Sequence, residues 1–541
     1  MKDISSTGSF VDFTLENFIY VDKTVYIPQL VKLKRVFISR PRRFGKSLTL
    51  DTIATLFETG VDPYFKGTWI YDKWTEPTYP VLRLNFLNFD KNTLEKFNNK
   101  LNSKITEFAE LNQVTTYKEK EEAEDSIDHL LEQLRLEGRQ IVILIDEYDC
   151  QMTANINNET LYKQFQEKIK SFYANIKDKF AIKFLGITGV TRLKDVSIFS
   201  VGSDINDITN ASAYSQMIGF TRDEIKKYYI DYLKLASSYE NNCSVGDVTD
   251  TQLESMLDMM AQNYDGYCFD EDYEKKVFST WSVNKFFQTM IEKKKVQFGE
   301  YWYDNGGLPS ILVNYLKTHE LNIFEYLDKD KFLKVSSDDF KNPTALTTIN
   351  QNVLMCQTGY LTLRSDLNKT STVALGIPNG EIYKALNRLL ANNIFKGNTD
   401  ITDDYGRSLL EVGTVDDIIN LFNSALNSVS YDNYPIVSES SVQNMLKLYL
   451  LGAHQEVLSE VHEAKGRADL VVNTDNRRIV FEFKYAKNEA EAKSKLSEAV
   501  EQIKTRDYGN ILPKKNELIR IAAVFNADPK VRAFTENQIV P

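Results

Sequence analysis

A buried strand that runs through a basic loop into a helix constrains this chain more than any other feature. Val36-Phe37-Ile38 is an apolar run of strand type, and from Ser47 to Phe57 apolar residues recur at helical spacing. The segment Arg40-Pro41-Arg42-Arg43-Phe44-Gly45-Lys46-Ser47 therefore joins strand to helix. Three more strands are expected at 79–86, 141–145 and 182–188, with a polar, mainly helical stretch filling the space up to about residue 139. Strands alternating with helices imply an α/β domain whose parallel sheet gathers its loops at the carboxyl ends of the strands.

At 541 residues the chain exceeds what one hydrophobic core covers. We expect a parallel-sheet domain over 1–220, a helical middle or lid domain over 221–376 with Trp281 as a core anchor, and a C-terminal unit over 377–541. The turn Ile377-Pro378-Asn379 opens that last unit. No run of about 18 uncharged apolar residues occurs and no apolar leader follows Met1, so a cytoplasmic protein without a membrane partner is expected. Cys150, Cys243, Cys268 and Cys356 lack the spacing of a zinc site or a disulfide framework. The net charge of −11 opposes long-range attraction to nucleic acid, which local basic patches can override at contact.

Gly45-Lys46-Ser47 at a helix start is how a loop presents an ammonium and a magnesium-binding hydroxyl to the phosphates of ATP or GTP. Two features depart from the usual phosphate loop: Arg40 stands where the first glycine belongs, and Pro41 removes one N–H donor. Arg42 and Arg43 could compensate through their guanidinium groups; the competing reading is a basic surface loop. Asp146, at the end of a buried strand, is placed to reach the magnesium shell, with Glu147 as base toward an attacking water. Thr188 ends the next strand, where it could sense a terminal phosphate, and Arg192 could neutralise its charge. Acidic strand ends without function are the plain alternative.

A second constellation lies in the last quarter of the chain. Residues 468–472 and 478–484 read as two strands joined by Asn473-Thr474-Asp475-Asn476, a predicted hairpin. Alternation puts Val480, Glu482 and Lys484 on one face and Phe481 and Phe483 on the other. Asp469 on the partner strand can share a magnesium ion with Glu482, and Lys484 can orient a nucleophile or stabilise the charge of a phosphoryl transition state. Glu460 is a possible auxiliary ligand. An exposed Glu482–Lys484 ion pair is the bland alternative.

The segment 37–47, Ile145-Asp146-Glu147-Tyr148-Asp149 and Thr188-Gly189-Val190-Thr191-Arg192 together resemble the bacterial AAA-ATPase-like family, which commonly carries a C-terminal PD-(D/E)XK nuclease superfamily domain. The likeness extends through Phe199-Ser200, Asn206-Asp207, Gly219-Phe220-Thr221, Tyr264-Asp265-Gly266-Tyr267 and Ile377-Pro378-Asn379. By this resemblance the arginine-rich loop is a family trait. Gly466-Arg467-Ala468-Asp469, Glu482-Phe483-Lys484 and Gln502-Ile503 with Tyr508 look like the superfamily's acid, acid-x-lysine and glutamine helix. The resemblance implies a P-loop NTPase-like sheet, a helical middle, and a restriction-endonuclease-like α/β domain, with ATP and Mg2+ as cofactors and DNA as partner. It also implies that Gln502 supports the site from a helix starting near Ala490. Three functions compete: nucleotide-driven phosphodiester cleavage, a nucleotide-dependent switch whose nuclease-like domain binds without cutting, and an NTPase with no nucleic-acid role. The sequence leaves open DNA against RNA, ATP against GTP, and the oligomeric state.

Overall fold

The computed structural model describes the chain except residues 177–178, 194–204, 303–309, 318, 320–322, 344, 396–405, 454, 464–465 and 511–513. Phe199-Ser200 lies outside the described residues, as does the side chain of Glu460. The chain divides into two compact units, Met1–His319 with Phe332–Ile382, and Glu320–Lys331 with Tyr383–Pro541.

The first unit is built on five parallel strands, β1 (Arg35–Ser39), β2 (Val81–Asn85), β3 (Ile141–Asp146), β4 (Ile182–Gly189) and β5 (Asn206–Asp207). They lie in the order β2-β3-β4-β1-β5. All six residues of β3 are buried, as a strand covered on both faces requires, which is why its sequence is a continuous apolar run. Register places Ser39 of β1 beside Gly189 of β4 and Ile145 of β3 beside Ile187. The loop after β1, Asp146 and Thr188 thus reach the same edge of the sheet. Helix α1 (Lys46–Thr59) follows the loop directly. The polar stretch before residue 139 forms α2 (Leu94–Leu111) and α3 (Ala123–Leu136), each burying one apolar stripe, such as Phe97, Leu101 and Ile105 or Ile127, Leu130 and Leu134. Helix α4 (Glu159–Ile176) buries Phe165, Ile169 and Phe172.

Residues after 220 are mainly helical: α5 (Ile230–Asn241), α6 (Asp250–Tyr264) and α7 (Thr280–Lys293). Their core also takes in Ile19 and Val21 from the start of the chain, so these helices close over an N-terminal strap within the first unit. Trp281 is half-buried at the edge of that core. A small antiparallel sheet, β6 (Leu333–Ser336), β7 (Thr362–Leu363) and β8 (Thr372–Gly376), completes the unit in the order β6-β8-β7. Its strands of two to five residues are too short to show a period in the sequence.

Two turns read separately in the sequence form one junction. Gly266 has φ 92°, and a Cβ there would lie 2.3 Å from the carbonyl oxygen of Pro378. Asn379 Nδ2 donates to the Asp265 carbonyl at 2.7 Å, and its Oδ1 accepts from the Ile382 N–H at 3.0 Å, which caps helix α8 (Gly380–Ile394).

The second unit holds a five-stranded sheet of β9 (Glu456–Glu463), β10 (Gly466–Asn473), β11 (Arg477–Ala486), β12 (Glu517–Asn526) and β13 (Ala533–Ile539), in the order β13-β12-β11-β10-β9. The hairpin β10–β11 forms as expected, with Val471 opposite Val480 and the Thr474 N–H donating to the Arg477 carbonyl at 2.9 Å. β11 and β12 are parallel, joined by helix α11 (Glu489–Arg506). Helices α9 (Val415–Asn427) and α10 (Glu439–Gly452) precede the sheet. The predicted alternation along β11 is present: Phe481 and Phe483 pack with Phe422 and Phe534, while Val480 joins Ala499, Ile503 and Tyr508. Among the described residues no helix is long and apolar enough to cross a membrane.

Gly266→Ala should destabilise the first unit by about 2–4 kcal/mol, combining a left-handed backbone with overpacking against Pro378. A thermal-unfolding midpoint equal to that of the unsubstituted chain would contradict this.

Candidate functional site

In the first unit the basic loop is held from behind by aromatic rings. Phe44 is 1% exposed and meets Tyr267, Phe269 and Trp302 edge-on at centroid separations of 4.8, 5.4 and 6.2 Å. Arg40, equally buried, lies 4.2 Å over the Phe269 ring and donates to the carbonyls of Ser39 (2.9 Å) and Thr209 (2.6 Å). The residue at the expected glycine position is therefore a strut. Burial lowers its pKa to about 9. Arg43 takes a left-handed φ of 70° and donates to the carbonyls of Tyr301 (2.5 Å) and Trp302 (2.7 Å). Arg42 is half-buried, and its charge acts on Glu147.

Gly45, at φ 101°, caps α1, whose first-turn amides have no acceptor within the helix and carry the positive end of its dipole. Lys46 is buried, its Nζ 3.1 and 3.2 Å from the carbonyls of Arg40 and Pro41 and 3.7 Å from Glu147 Oε1. The Asp146 carboxylate gathers three donors: Ser47 Oγ at 2.6 Å, Thr188 Oγ1 at 2.6 Å and the Glu147 N–H at 3.0 Å. Glu147 has φ 52°, and its pKa is raised by burial and by Asp149 and Asp146, against Lys46 and Arg42. Asp149 serves the fold, accepting from the Thr191 N–H (2.7 Å) and Oγ1 (2.6 Å). Arg192 pairs with Asp207 and donates to the Lys341 carbonyl at 2.6 Å. The structure thus brings Lys46, Ser47, Asp146, Glu147 and Thr188 together and engages Arg43 and Arg192 elsewhere. A cavity of about 170 Å³ opens beside the loop, lined by Val21, Phe44, Gly45, Thr49, Met217 and Trp281.

In the second unit, Glu482 is fully buried and Lys484 Nζ lies 2.8 Å from its Oε1. Its other oxygen, Oε2, is buried with no hydrogen-bond partner among the described residues. Asp469 is 6% exposed and accepts from the Phe483 N–H at 2.8 Å. Burial, then the Asp469 charge, push Glu482 up to about 7, against the pull of Lys484. An orphaned buried oxygen beside a second carboxylate suits a hard divalent cation, and Mg2+ is commonly held by one or two carboxylates and several waters. Among the described residues no group of three or more His, Cys, Asp or Glu surrounds a common point, and Asp469 and Glu482 are the carboxylates the described structure brings together here. Gln502 Nε2 lies 3.4 Å from the buried Tyr508 hydroxyl.

Glu439 escaped the sequence reading. It opens α10 after Ser438, whose Oγ accepts from the Ser441 N–H at 3.2 Å, and its Oε1 lies 3.4 Å from Lys484 Nζ. Burial raises its pKa, as does Asp469, while Lys484 lowers it. The signal was the capping sequence Ser438-Glu439-Ser440-Ser441, which marks a helix start and not its target.

Comparison with known proteins matches residues 5–199 to the family described as predicted AAA-ATPase and residues 437–535 to the PD-(D/E)XK nuclease superfamily. A protein of Azotobacter chroococcum, described as an uncharacterized protein in the vnfD 5′ region, is 26% identical over 95% of this chain and 94% of its own. Among solved structures, the Walker-type ATPase of Pyrococcus abyssi aligns with 67% of this chain and 94% of its own, at 11% identity and TM-score 0.32. Cdc6p from Pyrobaculum aerophilum aligns with 68% and 91%, at 10% identity and TM-score 0.23. Likenesses this slight carry no argument about activity.

Behind the loop, Glu381 is 2% exposed and holds Trp302, accepting from its N–H at 2.8 Å, with Ser282 Oγ 2.7 Å from its other oxygen. Burial pushes its pKa from 4.5 up to about 8. The folded chain keeps a proton that the unfolded chain releases, so this stabilisation is complete below pH 4.5 and is lost as pH rises toward about 8. The loss between pH 4.5 and 7 should be on the order of 3 kcal/mol in the first unit. Glu381→Gln should flatten that part of the stability profile in denaturant titrations; an unchanged slope refutes the assignment.

Proposed function

From a chain whose residues 5–199 match the predicted AAA-ATPase family and whose residues 437–535 match the PD-(D/E)XK nuclease superfamily, we propose an ATP-binding and ATP-hydrolysing protein that cleaves DNA with Mg2+ in its second unit. The observation that carries the nuclease half is the buried set Asp469, Glu482 and Lys484, with one carboxylate oxygen left without a partner among the described residues.

In the first unit the α1 amides and Lys46 take the phosphates, with Lys46 leaving the carbonyls of Arg40 and Pro41 to do so. Ser47 and Asp146 hold Mg2+, and Thr188 keeps Asp146 oriented. Glu147, of raised pKa and within reach of Lys46, accepts the proton of the attacking water. Arg42 is the arginine left for phosphate oxygens, since Arg43 braces the loop and Arg192 is paired with Asp207. The cavity beside Phe44 and Trp281 receives the base.

In the second unit Asp469 and Glu482 hold Mg2+. The ion, when bound, lowers the pKa of its water and neutralises charge on the scissile phosphate. Lys484, held by Glu482 and Glu439, orients the nucleophile, and Gln502 steadies that face from α11. The unit works in the cytoplasm on this reading.

Plasmid and single-stranded DNA incubated with protein and Mg2+, with and without ATP, test the proposal. Asp469→Ala should lower cleavage at least about 100-fold. Binding of DNA without cutting by the unsubstituted protein supports the switch reading instead. Lys46→Ala should weaken ATP binding about 10-fold or more, through loss of a charge-assisted bond. Full affinity in that variant removes the loop from the mechanism.

A further inference from the structure

The last residue of α11 is an arginine that the mechanism above leaves unused. Arg506 Nη1 donates to the Tyr508 hydroxyl at 2.7 Å, the same oxygen that Gln502 approaches, and Tyr508 is fully buried. The arginine stem lies across the first residue of β10: a Cβ on Gly466 would come within 2.5 Å of Arg506 Cδ. Gly466 therefore has no side chain because the stem occupies its space, and Asp469 follows three residues later.

A guanidinium carries five N–H donors. Among the described residues, Tyr508 is the hydrogen-bond partner of Arg506, and no carboxylate closes on it. The adjacent Asp507 pairs with Arg520 instead. The Tyr508 bond, and then the charges of Glu482 and Asp469, raise the pKa of Arg506, so it stands in the field of the acid pair without joining it. Its stem is fixed at Gly466, its head is anchored at one corner, and its remaining donors suit the paired oxygens of a phosphate. In a chain of net charge −11, a strand of nucleic acid needs such a fixed cation near two carboxylates.

We propose that Arg506 binds a backbone phosphodiester of the nucleic acid and sets the strand's register over Asp469 and Glu482. This is a positioning role and rests on the nuclease reading.

The test uses the full chain carrying Asp469→Ala, substituted to stop cleavage, and follows a fluorescein-labelled oligonucleotide by anisotropy from about 50 to 200 mM salt. Adding Arg506→Ala should weaken binding about 10-fold and reduce the slope of log affinity against log salt by about 1, as loss of one phosphate contact does. Arg506→Lys should restore the slope and part of the affinity. In the cutting-competent chain, Arg506→Ala should raise KM more than it lowers kcat. Unchanged affinity and slope, in a protein that does cut DNA, overturn this inference alone. A parent chain that neither binds nor cuts any nucleic acid removes the nuclease reading and the inference with it. Should Arg506→Ala fail to fold, Arg506→Gln keeps packing against Gly466, and its salt slope decides.

Discussion

The first unit depends on Phe44 being buried among Tyr267, Phe269 and Trp302. Each such ring pair contributes about 0.5–1.5 kcal/mol beyond burial of its area, enough in sum to fix a loop that has one glycine and one proline. A glycine-rich loop wraps phosphates because its backbone is free to do so. This loop has little of that freedom and is shaped from outside. The left-handed Arg43 costs about 1–2 kcal/mol. Its carbonyl accepts from Thr280 Oγ1 at 2.9 Å and from the Trp281 N–H at 3.3 Å, which offsets that strain.

These braces come from far along the chain. Trp302 is held by Glu381, which opens α8 beside the Gly266–Pro378 junction, so the loop, the middle helices and the start of α8 are one connected hydrogen-bonded set. The small residues at that junction follow from its closeness. Any movement of the loop on nucleotide binding has to be accommodated by Trp302 and by the carboxyl that carries it.

The second unit gains order from the opposite circumstance, a polar group left incomplete. Glu482 is buried beside Asp469 with the Lys484 ammonium 2.8 Å from one oxygen, and its other oxygen, without a partner among the described residues, costs about 1–3 kcal/mol. The sheet can hold such a group because Phe481 and Phe483 anchor the other face of the same strand against Phe422 and Phe534. Packing on one face thus carries the strained chemistry on the other.

Local pattern alone determined the strands β1 to β4, helix α1 and the β10–β11 hairpin, since apolar runs, helical spacing and strict alternation report which faces must be covered. It also determined that Glu482 and Lys484 share a face, because a strand permits no other arrangement. Which charged groups meet a ligand and which serve the fold was decided only by tertiary structure. Arg40, Arg42 and Arg43 are alike in the sequence, yet one supports Thr209, one remains beside Glu147, and one braces Trp302, more than 200 residues away. Glu439 meets Lys484 and Arg506 stands in the field of Asp469 and Glu482, from two different helices, and neither helix carries in its own residues any mark of where its end will lie. A side chain's partner depends on chain segments brought close by the burial of others, which spacing along one segment cannot encode.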